Sequence, residues 1–222
     1  MNPLHYEEVK VTARYAPWKK DKAFQEAYQI FRHYTLVEET RCWELWDLLG
    51  QRKGLIKMSG DILEVGVWRG GTGCLLAWRA RQMGLACKVF LADTFTGVPV
   101  AKVTASDPVY HGGEHADAAI NVVQGLIAQH GLLNAEIVQG IFPQSFHPAD
   151  KTWFRFVHVD ADVYQSAKET TEFVRPRMAP GGIIVYDDYG FHTCGGVTKY
   201  VNELREEGYT VIHNLNGHAI IL

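Results

Sequence analysis

Two acidic runs close apolar segments in this 222-residue chain: Phe156-Val157-His158-Val159-Asp160-Ala161-Asp162 and Ile184-Val185-Tyr186-Asp187-Asp188-Tyr189. If both apolar stretches are neighbouring strands of an open α/β sheet, Asp160, Asp187 and Asp188 meet at the carboxyl rim, where such sheets bind ligands. Three carboxylates at one point repel one another, so something positive is expected to hold them together. Hard oxygen donors suit Mg²⁺ or Ca²⁺, whereas zinc sites usually recruit His or Cys. Taken singly, Asp162 and Asp188 read equally well as caps of the helices that follow. The set of three favours a cation, with Asp160, Asp187 and Asp188 as its ligands.

A second constellation lies upstream, in Gly60-Asp-Ile-Leu-Glu64-Val-Gly66-Val-Trp68-Arg69-Gly70-Gly71-Thr72-Gly73. Glycines after a first strand let the backbone turn sharply and approach a ligand at a helix N-terminus. A dinucleotide site would read G-x-G-x-x-G, the second glycine leaving room for a pyrophosphate. Trp68 stands in that place, which disfavours a nicotinamide cofactor and favours S-adenosylmethionine, a ligand without a pyrophosphate. Glu64, just before the turn, is expected to face the methionine end of that ligand. Asp93 ends the next strand, where an acid can accept ribose hydroxyls. The expected cofactor-binding set is therefore Glu64, Gly66, Trp68, Arg69, Gly70, Thr72, Asp93, Thr94 and Gly140. Thr35 and Arg41 are added as contacts for the methionine carboxylate, Arg41 because a guanidinium offers a bidentate fork.

The elements that must position these residues follow from periodicity. Residues 21–36 place Phe24, Ala27, Tyr28, Phe31 and Tyr34 at helical spacing, and a second helical pattern runs from Glu38 to Leu49, ended by Gly50 and Gly54. Strands are expected at 62–67, 88–92, 135–138, 154–159, 182–186, 209–213 and 219–222, with helices at 72–83, 116–130, 166–175 and 195–207. This alternation predicts an α/β fold with a doubly wound, mostly parallel sheet covered on both faces. Only residues 214–218 separate the last two strands, too few for a parallel crossover, so that pair must be an antiparallel hairpin. Residues 1–59 are expected to form an N-terminal helical cap or lid, and 60–222 the ligand-binding Rossmann-like domain. The aromatic and leucine positions of residues 24–49 read chiefly as core, and are also compatible with a homo-oligomer contact.

Composition excludes several classes. The formal charge of −3 comes without any basic run, so nucleic-acid binding has no electrostatic support. No apolar run approaches the roughly 20 residues that span a bilayer, and the N-terminus lacks the pattern of a signal peptide. Cys42, Cys74, Cys87 and Cys194 form no C-x-x-C pair and read as reduced thiols of a cytoplasmic protein. His111 and His115 are four apart, but Gly112 and Gly113 between them argue against a helical zinc site. They fit a flexible loop near the acceptor pocket. His192, just after the acidic pair, is a candidate second base or substrate contact, and Cys194 is expected to be inert.

Four blocks, Gly60–Gly73, Asp93–Pro99, His158–Ser166 and Pro180–Tyr189, together with Tyr34, Thr35 and Arg41, resemble the macrocin O-methyltransferase family in order and spacing. The resemblance implies a class I methyltransferase-like fold and Mg²⁺-dependent transfer of a methyl group from S-adenosylmethionine to a hydroxyl, often on a sugar of a natural product. By position it makes Asp160, Asp187 and Asp188 metal ligands and Glu64, Gly66 and Asp93 cofactor contacts. Gln165 departs from the pattern, standing where an acid is common. An alkyl hydroxyl is too weak an acid to ionise unaided near neutral pH, so a base is needed beside the cation. Asp160, which also matches the base of the family, is the candidate. The alternatives are a catechol-type O-methyltransferase and a non-catalytic S-adenosylmethionine-binding module.

Overall fold

Short runs rich in Val, Ile, Leu and Phe become strands, and the amphipathic segments between them become helices. The computed structural model describes residues 4–10, 12–51, 60–149 and 152–222. Seven strands, β1 (Asp61–Val65), β2 (Val89–Asp93), β3 (Ala135–Gln139), β4 (Phe154–Val159), β5 (Met178–Tyr186), β6 (Val211–His213) and β7 (Ala219–Ile221), form one sheet in the order β3-β2-β1-β4-β5-β7-β6. β1 to β5 run parallel, and β7 runs antiparallel to both β5 and β6. The helices are α1 (Lys22–Phe31), α2 (Glu39–Gln51), α3 (Gly71–Gln82), α4 (Ile120–Gln129), α5 (Tyr164–Val174) and α6 (Gly195–Glu206).

The two faces of the sheet bury separate cores. Ile62, Leu91, Phe156, Val185 and Ile220 pack with Phe24 of α1, Leu45 and Trp46 of α2, Leu75 of α3 and Val123 of α4. On the opposite face, Leu63, Val157 and Ile184 pack with Ala167 of α5 and Val201 of α6. Side chains alternate between faces along a strand. Strand register therefore places Leu91, Glu64, His158, Val185 and Ile220 in one row across the sheet. Two residues of that row are polar and fully buried, and they pair with each other: His158 Nδ1 lies 2.9 Å from Glu64 Oε1.

Several boundaries differ from the sequence expectation. α4 starts at Ile120 rather than at residue 116, because the Asp117 carboxylate is held by Trp68 and Arg69 and Ala119 is extended. Gly50 does not end α2, which continues to Gln51; a Cβ there would lie 2.7 Å from Arg79 Nη2 of α3, so the glycine serves close helix packing. Gly54 lies outside the described residues. β5 begins at Met178, four residues early, with a register irregularity opposite Phe154 and Phe156. His111 and His115 lie in turns and not on a helix. Among the described residues no helix is long and apolar enough to cross a membrane.

The N-terminal helices share the core of the sheet. The Phe24 ring sits edge-on to Trp43 and Trp46 of α2, at 5.1 and 5.8 Å between centroids. Phe24→Ala should therefore destabilise the chain by about 3–5 kcal/mol, read as a lowered urea midpoint. A loss under about 1 kcal/mol would show that α1 contributes little to the fold.

Candidate active site

Parallel register extends the sheet by one residue at its carboxyl rim. Asp160 N–H donates to Val65 O at 2.8 Å, Asp187 N–H to Val159 O at 2.9 Å, Gly66 N–H to Ala92 O at 2.9 Å and Gly140 N–H to Asp93 O at 2.9 Å. The residues just past β1, β3, β4 and β5 are thus fixed side by side by main-chain bonds before any side chain is considered. They open onto one cavity.

Asp93 organises the glycine loop on one side of that cavity. Its Oδ2 accepts the amides of Val67 and Trp68 at 2.7 and 2.8 Å, and its Oδ1 accepts the Phe95 amide at 2.7 Å. Gly66 has φ +88°, and a Cβ there would collide with the Asp160 carbonyl oxygen, so only glycine fits. Trp68 adopts φ 47°, which a non-glycine residue holds only when its surroundings enforce it. Here the indole Nε1 donates to Asp117 Oδ1 at 2.7 Å, and Arg69 stacks on the ring at 4.5 Å while donating to Asp117 Oδ2 at 2.8 Å. Gly71 at the start of α3 admits the Tyr34–Thr35 backbone: a Cβ would meet Tyr34 C at 2.6 Å.

The acids gather on the other side. One carboxylate oxygen each from Asp160, Asp187 and Asp188 lies within 4.8 Å of the other two. Burial, then the charges of Asp187 and Asp188, push the Asp160 carboxyl well above its ordinary range. Burial, then Asp187 and Asp162, do the same to Asp188. Asp187 goes the other way. Burial opposes ionisation, but His218, Arg41 and His158 together hold it below the usual carboxylate range. Arg41 Nη1 donates to Asp187 Oδ1 and lies 3.7 Å from Asp188 Oδ1. Its Nε donates to Glu38 at 2.6 Å.

Asp162 adjoins this triad: one of its carboxylate oxygens lies within 4.8 Å of Asp188 and of Cys194 Sγ. It adopts φ 61°, accepts the Tyr110 hydroxyl at 2.8 Å, and lies 4.0 Å from His115 Nε2. Tyr110 also contacts Cys194 Sγ at 3.4 Å. Burial, followed by the charge of Asp188, raises the Cys194 thiol far above neutrality, which leaves it a poor nucleophile.

Of the residues singled out in the sequence, Thr35, Arg41, Gly66, Trp68, Thr72, Asp93, Thr94, Gly140, Asp160, Asp187 and Asp188 all line the cavity. Glu64 does not: it is fully buried beneath the rim against His158. Arg69 points to Asp117, Gly70 caps α3 with φ +90°, and His192 is exposed away from the lining. The Arg41 guanidinium is already engaged by Glu38 and Asp187. Sequence reasoning missed Tyr110 in the lining and the pair of buried His218 and half-buried Glu44 behind Asp187. Glu38, Arg41 and Glu44 follow one another at i+3 spacing, which a helix presents on one side; that was the available signal.

The profile of the family described as macrocin-O-methyltransferase (TylF) matches residues 13–215. The 8-demethyl-8-(2,3-dimethoxy-alpha-L-rhamnosyl)-tetracenomycin-C 4'-O-methyltransferase of Streptomyces olivaceus is 31% identical over 145 residues, covering 62% of this chain and 56% of that protein. The mycinamicin III 3''-O-methyltransferase of Micromonospora griseorubida is 30% identical over 165 residues, covering 67% of this chain and 61% of that one. The chain thus spans just over half the length of these curated relatives. The structure of the O-methyltransferase NovP superposes with a TM-score of 0.74 at 22% identity, over 85% of this chain and 81% of that chain, and shares the fold.

The role of Asp93 in the loop is open to direct measurement. Asp93→Ala strands the amides of Val67, Trp68 and Phe95, each at a cost of up to about 1–3 kcal/mol where water cannot replace the acceptor. Asp93→Asn keeps one acceptor oxygen. Melting temperatures should fall in the order wild type, Asn, Ala; equal melting of all three would show that the loop amides do not depend on this side chain.

Proposed function

This chain belongs to the macrocin-O-methyltransferase family, and from that premise we propose that it transfers a methyl group from S-adenosylmethionine to a hydroxyl of a small molecule, with Mg²⁺ as cofactor. The observation that carries this reading is that one cavity is lined both by the glycine loop with Asp93 and by Asp160, Asp187 and Asp188. The residues fit both groups. Trp68 occupies the place a pyrophosphate would need, and the donor set at the acids is carboxylate oxygen only, the chemistry that Mg²⁺ prefers. The relative from Streptomyces olivaceus is by name the 4'-O-methyltransferase of a rhamnosyl-bearing tetracenomycin, so the proposed acceptor is a sugar of a glycosylated natural product. In this reading residues 1–59 cap the ligand-binding domain, and the protein works in the cytoplasm.

The methyl group passes in line from sulfur to the acceptor oxygen, so the chain must hold donor and acceptor on one axis and take up a proton. Gly66, Val67, Trp68, Thr72, Asp93, Thr94 and Gly140 hold the donor, with Thr35 bounding the cavity from the N-terminal side. Asp160, Asp187 and Asp188 hold Mg²⁺, which when bound supplies Lewis acidity toward the acceptor hydroxyl. Asp160 is then both a ligand and the group whose carboxylate oxygen takes the proton. A specific observation favours a second reading of the base. Asp162 lines the same cavity, and its Oδ1 accepts the Tyr110 hydroxyl. His192, exposed outside the lining, receives no proton step.

Two substitutions separate these roles. Asp160→Asn should abolish methyl transfer and weaken Mn²⁺ binding, with S-adenosylhomocysteine affinity largely kept. If Asp162 is the base, Asp162→Asn should abolish transfer while leaving Mn²⁺ binding intact; full turnover in that variant removes Asp162 from the role. In a panel of deoxysugar glycosides and a catechol, methylation of a glycoside that stops with EDTA and returns with Mg²⁺ is the expected outcome. Catechol turnover alone would move the acceptor class. Cofactor binding indifferent to Mg²⁺, with no methylated product from any acceptor, would favour a binding module.

A further inference from the structure

Behind the acidic triad lies a buried chain of polar groups that no step above uses. His218 and Asp187 are almost wholly buried, and the imidazole stands between two carboxylates. Its Nδ1 lies 2.6 Å from Glu44 Oε2, and its Nε2 lies 3.0 Å from Asp187 Oδ1. Glu44 Oε2 also accepts the Asn216 side-chain amide at 2.9 Å. The same oxygen, Asp187 Oδ1, accepts from Arg41, and His158 brings a ring nitrogen within 4.8 Å of both Asp187 and His218.

We propose that Glu44 and His218 are positioning residues that fix Asp187 from behind, so that α2 and the terminal hairpin together set the divalent-cation affinity of the triad. This rests on the reading of Asp160, Asp187 and Asp188 as cation ligands. A carboxylate that must meet an ion at a defined direction loses affinity if it is free to rotate, and the groups that hydrogen-bond or charge-pair with a ligating side chain are what hold that direction. Asp187 is the member of the triad with two such partners, both at Oδ1: Arg41 donates a hydrogen bond to it, and His218 Nε2 lies beside it as a charge-pair contact. His218 in turn can keep its ring plane only while its far nitrogen is anchored, and Glu44 is that anchor. Arg41 and Glu44 belong to the same helix, three residues apart, so a shift of α2 moves one partner of Asp187 and the anchor of the other together. The bland alternative is a brace: an ion pair that ties α2 to the hairpin and would serve stability alone.

The test compares Glu44→Gln and His218→Gln with the wild-type chain, measuring Mn²⁺ binding by the EPR signal of the free ion in the presence of S-adenosylhomocysteine. Mn²⁺ affinity should fall by roughly 10- to 100-fold, while S-adenosylhomocysteine affinity stays within about threefold, and methyl transfer should recover at raised Mg²⁺. Should either variant fail to fold, Asn216→Ala, which removes one donor to Glu44, should shift Mn²⁺ affinity in the same direction by less. Wild-type Mn²⁺ binding with unchanged affinity in the variants overturns the positioning role alone. Parallel loss of Mn²⁺ affinity, S-adenosylhomocysteine affinity and melting temperature shows a brace, and overturns it too. A wild-type chain that binds no Mn²⁺ overturns the cation reading itself and this inference with it.

Discussion

Mutual repulsion among Asp160, Asp187 and Asp188 is the constraint around which the pocket side of this structure is arranged. One oxygen from each converges within 4.8 Å of the others, Asp187 buried and Asp160 and Asp188 half-buried at the cavity wall. Removing one carboxylate from water costs several kcal/mol even after relaxation, and like charges add to that. The chain meets this cost unevenly. Asp187 is held charged by His218 and Arg41, whereas Asp160 and Asp188 are left with carboxyls pushed upward. The fold thus favours ionisation of one acid and disfavours it in the other two. Opposite charge nearby favours the ionised form and like charge disfavours it, so this division follows directly from which groups surround each carboxylate.

The directions of these side chains come from the sheet. Main-chain bonds carry the parallel ladder one residue beyond β1 and β4, so that Gly66, Asp160 and Asp187 stand abreast. Gly66 must lack a side chain because the Asp160 carbonyl occupies the space a Cβ would need. The loop that bounds one wall and the acid that bounds the other are therefore a single packing unit. Asp93 completes it by drawing the Val67 and Trp68 amides inward. Rim chemistry in this fold is precise because it borrows the rigidity of backbone ladders rather than that of side chains.

Much of this was legible in the chain. Strand positions follow from short apolar runs, and the acids and glycines sit at the ends of those runs, so their meeting at one rim needs only the parallel topology. Glu64 shows where that reasoning stops. Placed just before the turn, it was expected to look outward to a ligand, yet it shares the row of Leu91 and Val185 and points into the helix-covered face. Its phase with Ile62 along β1 carried that information, since alternate residues share a face. The start of α4 was misjudged because Asp117 is claimed by Trp68 and Arg69, residues 49 and 48 positions away. His218 had no local signature at all: its place depends on which strand lies beside β5 and in which direction.

That direction has a chemical consequence. Every parallel strand of the sheet ends at the carboxyl rim, so it can deliver to the pocket only residues that follow it. β7 is antiparallel, and it begins there. Ala219 pairs with Tyr186, which makes His218 and Asp187 the next opposed positions in the same register. A parallel strand in this place would put its first residue at the far edge of the sheet, and no imidazole could reach Asp187 from it. The hairpin that short spacing demanded between residues 213 and 219 is therefore more than a way to finish the sheet. By reversing one strand, the fold brings the C-terminal part of the chain back to the rim, and α2 meets it there through Glu44. Segments from both ends of the chain close on one carboxylate, which binds the N-terminal helices to the chemistry of the pocket as firmly as to its core.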